Sequence, residues 1–267
     1  MKLGHIAGFR LVTPDGDRLT RFYAALGFEA DAQQVIDPEE MVMLGISGRG
    51  ARRTLRVGEA RIDLDQYAQP GHFYPAGADA ASRCFQHFAL VTSDVAACWS
   101  KAKAAGAIAI SKAGPVLLPP SSGGVTAVKF RDPDGHPLEF ISFPDMAAKG
   151  WKDEGLQGID HSAVVVTDRT SSEAFYCAAG LTTGDVSNNH GREQDALDGL
   201  TDAQVNVVPM IPVQAAPHVE LLCYRHPFRD TYHPWAPQDV AATRILWQSE
   251  APALLRDPTG HLHELLG

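Results

Sequence analysis

Two stretches of the chain send a carboxylate into an apolar strand just after a glycine turn: FRDPDGHPLEF at 130–140 and LRDPTGHLHEL at 255–265. Neighbouring residues of a strand point to opposite faces, so Glu139 faces away from Leu138 and Phe140, and Glu264 repeats the placement. Asp63 in RIDLDQY and Glu220 in HVELLCY take the same position in two further strand-like runs. Histidines enter two other apolar strands two residues from their start, His87 in FQHFALVTSD and His161 in IDHSAVVVTD. Neutral imidazole with carboxylate oxygens is a donor set for a divalent ion. Three such ligands with an open position suit Lewis-acid or oxygen chemistry. A carboxylate left out of the coordination would serve as a base.

The elements that must position these groups recur along the chain. Asp-Pro-x-Gly fixes φ at the proline and allows positive φ at Gly135 and Gly260, which predicts a tight hairpin between two strands. The strands carrying His87 and His161 both end in Thr/Ser-Asp, with Asp94 and Asp168 as expected helix N-caps. FYAALGF at 22–28 and FYCAAGL at 175–181 read as the ends of equivalent helices that stop at Gly27 and Gly180. The repeating unit is βαβββ, expected four times over 1–75, 84–145, 158–225 and 239–267. The last unit is shortened, because APALLRDPTG follows its first strand at once and leaves no room for a full helix and two more strands.

Composition bounds the function. At 267 residues the chain suits two modules of roughly 130 residues, each able to bury a core. The polar linker PDMAAKGWKDEGLQ sets their boundary near 146–157, giving modules 1–145 and 158–267, with the first expected to bind metal because both its units are complete. A formal net charge of −9 argues against a nucleic-acid partner. No apolar run approaches the ~18 residues of a membrane helix, and the N-terminus lacks the pattern of a signal peptide, so a cytoplasmic protein is expected. Cys84, Cys98, Cys177 and Cys223 lack CxxC spacing and read as small core residues of a reducing compartment. The Ser/Gly-rich loop within LPPSSGGVTAVKF (118–130) is able to approach a ligand closely, and the aromatic crossover QPGHFYPAGADAASRCFQH is placed to cover a cleft. His226, Tyr232, His233 and Trp235 crowd the crossover between the third and fourth units, as candidates to complete a site.

Tandem βαβββ units, FYxxxLGF-like helices and DPDGHxxE hairpins resemble the vicinal oxygen chelate superfamily. It includes glyoxalase I, extradiol ring-cleavage dioxygenases, methylmalonyl-CoA epimerase and the fosfomycin- and bleomycin-resistance proteins. The resemblance covers nearly the whole chain. It implies an α+β fold of two glyoxalase-like modules with curved mixed sheets around a cleft, and metal ligands on the first and last strands of paired units. Carried over by position, the first module offers Asp63, His87 and Glu139, with Ala7 or Gly8 where another ligand would stand and His5 nearby. The second offers His161, Glu220 and Glu264, with Thr243 or Arg244 in place of a histidine. Each module is then one ligand short of four, and Asp63 and Glu139 are the base candidates. The implied function is a metal-dependent enzyme (Fe, Mn, Ni, Zn or Mg) of lyase, isomerase or ring-cleavage type. It would act on a small oxygen-bearing molecule, as a monomer or homodimer. The alternative is a metal-free protein that sequesters a small molecule, as the bleomycin-resistance members do.

Overall fold

The computed structural model describes residues 2–152, 154–230 and 234–267. Its main strands are β1 (Ile6–Val12), β2 (Gly50–Val57) and β3 (Ala60–Tyr67) in the first unit, then β4 (Gln86–Thr92), β5 (Thr126–Arg131) and β6 (Pro137–Ser142) in the second. The third unit holds β7 (Leu156–Val165), β8 (Gln204–Ile211) and β9 (His218–His226); the fourth holds β10 (Arg244–Gln248), β11 (Ala253–Arg256) and β12 (Leu262–Leu266). Helices α1 (Gly16–Leu26), α3 (Val95–Ala104) and α4 (Arg169–Ala178) follow the first strands of the first three units, with short α2 (Pro38–Met43) and α5 (Arg192–Asp198) further on. The fourth unit runs from its first strand straight into the hairpin β11–β12 with no helix. Asp94 and Asp168 cap their helices as expected, accepting from Ala97 N and Ser171 N, and Asp15 caps α1 through Arg18 N.

The strands form two mixed sheets, and their order corrects the expected modules. Sheet one runs β11-β12-β10-β1-β3-β2 through its main strands, and sheet two runs β8-β9-β7-β4-β6-β5. The first unit therefore pairs with the fourth, through β1 against β10, and the second with the third, through β4 against β7. Segments 1–145 and 158–267 do not each close a cup; one cup is built from the two middle units and one from the two outer units. Within its own unit each of the four first strands pairs along one edge only, and all are apolar runs, so local pattern does not say which two will join.

Alternation splits each strand between two environments. On β4, Phe88 and Leu90 enter a core shared with α1, α3 and α4, where Phe9 of sheet one stacks on Phe88 of sheet two at 5.2 Å between ring centroids. His87, Ala89 and Val91 face the other way, into the cup. The two Asp-Pro-x-Gly turns also dock this core. Asp132 Oδ1 accepts from the backbone of Asp134 and His136, and Asp257 Oδ1 from Thr259, Gly260 and His261. Their second oxygens accept from Tyr23 of α1 and Tyr176 of α4, each at 3.2 Å. The FY pairs of the helix repeats are thus the anchors for the turn repeats of other units. His136 and His261 are buried within these turns. Cys84 and Cys98 are buried, whereas Cys177 is exposed.

Candidate metal centre

Swapped pairing of the units assembles what the expected modules kept apart. In sheet two, His161 of β7 and Glu139 of β6 both lie in register with Ala89, one on each side of it. Ala163 likewise lies between His87 of β4 and Glu220 of β9. Both alanines are fully buried, and their methyl groups leave the space over which two imidazoles and two carboxylates lean toward each other. Donor atoms of His87, Glu139 and His161 fall within 4.8 Å of one another. His87 Nε2 is 3.2 Å from Glu139 Oε2, and His161 Nε2 is 3.6 Å from Glu220 Oε2.

The electrostatics suit a cation. Burial keeps His87 neutral by lowering its pKa, despite the adjacent Glu139. Neither of its ring nitrogens has a hydrogen-bond partner among the described residues, although both are buried. Burial also opposes charge on His161, but Glu220 and Asp160 outweigh it and push its pKa up to about 9. Burial favours the acid form of Glu139, which His87 and Lys129 nevertheless hold below the usual carboxylate range. Glu220 is held down to about 2 against its burial by His161 and His218, with a fifth of its side chain open to solvent. A protonated His161 here does what a divalent ion would do: it neutralises carboxylates that have left water. A buried imidazole without hydrogen bonds, that of His87, beside paired carboxylates fits such an ion.

Three further groups complete the surroundings. The register of β7 shifts between Ile159 and His161, and this bulge sets Asp160 beside the ring, with His161 Nδ1 3.0 Å from Asp160 Oδ2. A histidine whose Nδ1–H is held by a carboxylate presents Nε2 to an ion. His218 Nε2 lies 3.6 Å from Glu220 Oε1. Lys129 is buried on β5 directly across from Glu139. Asp160 was legible as an acid placed next to a strand histidine, and Lys129 as a charge between Val128 and Phe130 in the same alternation as Glu139. A cavity of about 540 Å³ lies over the cluster, lined in part by Leu118, Ser122, Gly123 and Val125 of the Ser/Gly-rich segment. Ser122 Oγ donates to Asn189 Oδ1 at 2.9 Å, tying that loop to the third unit.

Sheet one carries the equivalent positions in a different state. Arg10 stands in register with both Asp63 and Arg244, as Ala89 does with Glu139 and His161, and Leu246 stands with Glu264 as Ala163 does with Glu220. Gly8 then takes the place of His87, and a Cβ there would meet Arg61 O at 2.7 Å, so no ligand side chain fits. Asp63 accepts from Arg10 at 3.0 Å and from Arg61 at 2.8 Å; Arg10 also pairs with Glu264, and Arg244 lies 3.2 Å from Glu264. Asp65 accepts from Arg52 and Arg244, each at 2.6 Å, and Glu40 of α2 closes the network through Arg10 and Arg52. Asp63 therefore belongs to the other sheet from His87 and Glu139 and does not join them, and Glu264 is occupied by guanidinium groups. His5 lies away from either ligand cluster, in a separate cleft of about 960 Å³ beside the linker.

The crossover after β3 is not over the His87 cavity. It is tied to the stretch before β10, with Gly71 N donating to Gln238 O at 2.8 Å and His72 N to Asp239 Oδ1 at 2.7 Å. His226 is exposed and contacts Asp202 O at 2.8 Å, while Tyr232 and His233 lie outside the described residues.

The family model for the Glyoxalase/Bleomycin resistance protein/Dioxygenase superfamily matches residues 2–140. The chain belongs to this superfamily. No curated protein matches it. Among solved structures, glyoxalase I from Zea mays is similar at 15% identity over 98% of this chain and 91% of that one, with a TM-score of 0.62. Its V278E mutant gives 18% identity, the same coverage and a TM-score of 0.63. A putative dioxygenase from Bacillus subtilis subsp. subtilis str. 168 is 13% identical over 99% of this chain and 85% of that one, with a TM-score of 0.58. These structures share the fold of this chain. Among the described residues, no helix is long and apolar enough to cross a membrane.

Proposed function

We propose that the chain is a divalent-metal-dependent enzyme of lyase or isomerase type, acting on a small oxygen-bearing molecule in the cup of sheet two. The observation that carries this reading is the convergence of His87, Glu139 and His161 within 4.8 Å, with the His87 ring buried, its Nδ1 without a hydrogen bond among the described residues and its Nε2 3.2 Å from Glu139 Oε2. These three residues would hold the ion. When bound, a divalent ion would chelate two neighbouring substrate oxygens and stabilise negative charge developing on one of them.

The remaining steps belong to the protein. Asp160 fixes the ring of His161 so that Nε2 faces the cup. Glu220 lies outside the convergent triad but adjoins it, and takes the proton released from the carbon next to a carbonyl. Leu118, Val125 and Ile141 present apolar surface to the substrate and restrict water. Ring cleavage requires two histidines and one glutamate as well, and the second carboxylate, Glu220, is what favours proton transfer.

Exchange of the carbon-bound protons of hydroxyacetone into D2O, followed by NMR on protein loaded with Zn, Ni, Mn or Fe(II), tests the reaction class. E220Q is expected to retain metal and lose exchange by about 100-fold or more, and H87A to lose both. Exchange at the wild-type rate in E220Q would remove the base assignment. Catechol-dependent oxygen uptake without proton exchange would replace the proposal with ring cleavage, and ligand binding unaffected by EDTA would point to sequestration.

A further inference from the structure

Lys129 is a buried ammonium beside the ligand cluster, near enough to Glu139 to favour its charged form but not hydrogen-bonded to it. Strand β5 places it in register with Glu139, between Val128 and Phe130, which face the core, so its side chain enters the cup and lines the 540 Å³ cavity. It is 4% exposed. One of its three N–H donors is taken by Asp198 Oδ1 at 2.7 Å, and Glu139 Oε2 at 3.9 Å is beyond hydrogen-bond reach. No other acceptor meets Nζ among the described residues. Asp198 is itself held by Gln194 at 2.6 Å and Tyr224 at 2.7 Å, so the ammonium is fixed at the cavity wall with two donors unfilled among the described residues.

The fold does not require a lysine here. The position in register with the last-strand carboxylate is Pro209 beside Glu220, Thr54 beside Asp63 and Leu254 beside Glu264. A desolvated cation with unfilled donors, present in one of four equivalent positions and only in the cup that keeps its histidines, points to a ligand with a charged oxygen. We propose that Lys129 determines specificity by receiving the carboxylate of a small 2-hydroxy or 2-oxo acid, whose neighbouring oxygen faces His87, Glu139 and His161. This deepens the metal-enzyme reading and rests on it. The apolar wall of Leu118, Val125 and Ile141 takes the acid's side chain.

The test uses 2-hydroxy-4-methylpentanoate and its amide, which differ at the carboxyl group, titrated calorimetrically into Zn-reconstituted full-length protein. Wild type is expected to bind the acid about tenfold or more tightly than the amide, as a charge-assisted hydrogen bond would give. K129M should lose that preference, keep its affinity for the amide within about twofold, and retain zinc. D198N, which keeps the fold's hydrogen-bond geometry and frees the ammonium, should bind the acid more tightly than wild type, and this readout survives if K129M fails to fold. Wild type binding both probes equally or neither, K129M keeping the preference, or D198N weakening the acid would each overturn the proposal. Zinc content is measured on every sample: protein without zinc refutes the metal reading, while the acid-to-amide ratio still reports on Lys129.

Discussion

Replacing Arg244 by methionine removes a guanidinium that is fully buried under sheet one. It donates to Asp65 Oδ2 at 2.6 Å, to Tyr67 Oη at 3.1 Å and to Pro237 O at 2.9 Å, and lies 3.2 Å from Glu264 Oε2. Four guanidinium groups (Arg10, Arg52, Arg61, Arg244) face four carboxylates (Glu40, Asp63, Asp65, Glu264), and the variant leaves three against four. Breaking a buried pair costs ~3 to 5 kcal/mol, and the low end applies because Asp65 keeps Arg52 and Glu264 keeps Arg10. A loss of ~3 kcal/mol lowers the Tm by about 6 to 12 °C for a chain of this size. Thermal melts by circular dichroism at pH 7, with metal content measured on the same samples, read both numbers. The expected result is the lower Tm with metal unchanged, since the proposed metal ligands lie in the other sheet. A Tm within 2 °C of wild type, or loss of metal, would refute the view that this cup is a charge-balanced structural core.

Other outcomes follow from the same geometry. Against its burial, which raises the pKa, Arg52 and Arg10 hold Asp65 at about 2, below the ordinary 3.8. This depressed pKa contributes ~2 kcal/mol of stability above pH 4 that is lost as pH falls through 4 toward 2, and urea unfolding across that window should show the slope. Y23F and Y176F each remove a hydroxyl donated to a turn aspartate and should cost about 1 to 2 kcal/mol by urea unfolding, adding in the double variant because they join different units. A163L fills the floor between His87 and Glu220; it should fold with a cost of ~1 to 3 kcal/mol while losing metal, as plasma mass spectrometry would show.

The repeated unit was legible because its cues are local: Asp-Pro-x-Gly at each hairpin, Asp at the helix starts and glycine at their ends. His87, Glu139, His161 and Glu220 stood out for a similar reason, as polar residues at cup-facing positions of otherwise apolar strands. Their meeting was not legible, since β4 pairs with β7 through contacts about 75 residues apart while β1, with a similar apolar pattern, offers an equivalent edge. Arg10 and Arg52 gave no sign of their burial, because an arginine in a strand reads as a solvent-facing residue until its counter-charges are placed. Asp160 is visible in the sequence next to His161, but its place beside the ring depends on a bulge that alternation does not encode.

Under the proposed function the cup of sheet two holds an ion, whereas that of sheet one holds arginines. The decisive quantity is metal per chain, measured by plasma mass spectrometry on protein purified without chelator or nickel affinity. About one equivalent is predicted for wild type and D63N, falling below about a tenth in H87A and H161A. Two equivalents per chain, or metal lost in D63N and kept in H161A, would contradict it.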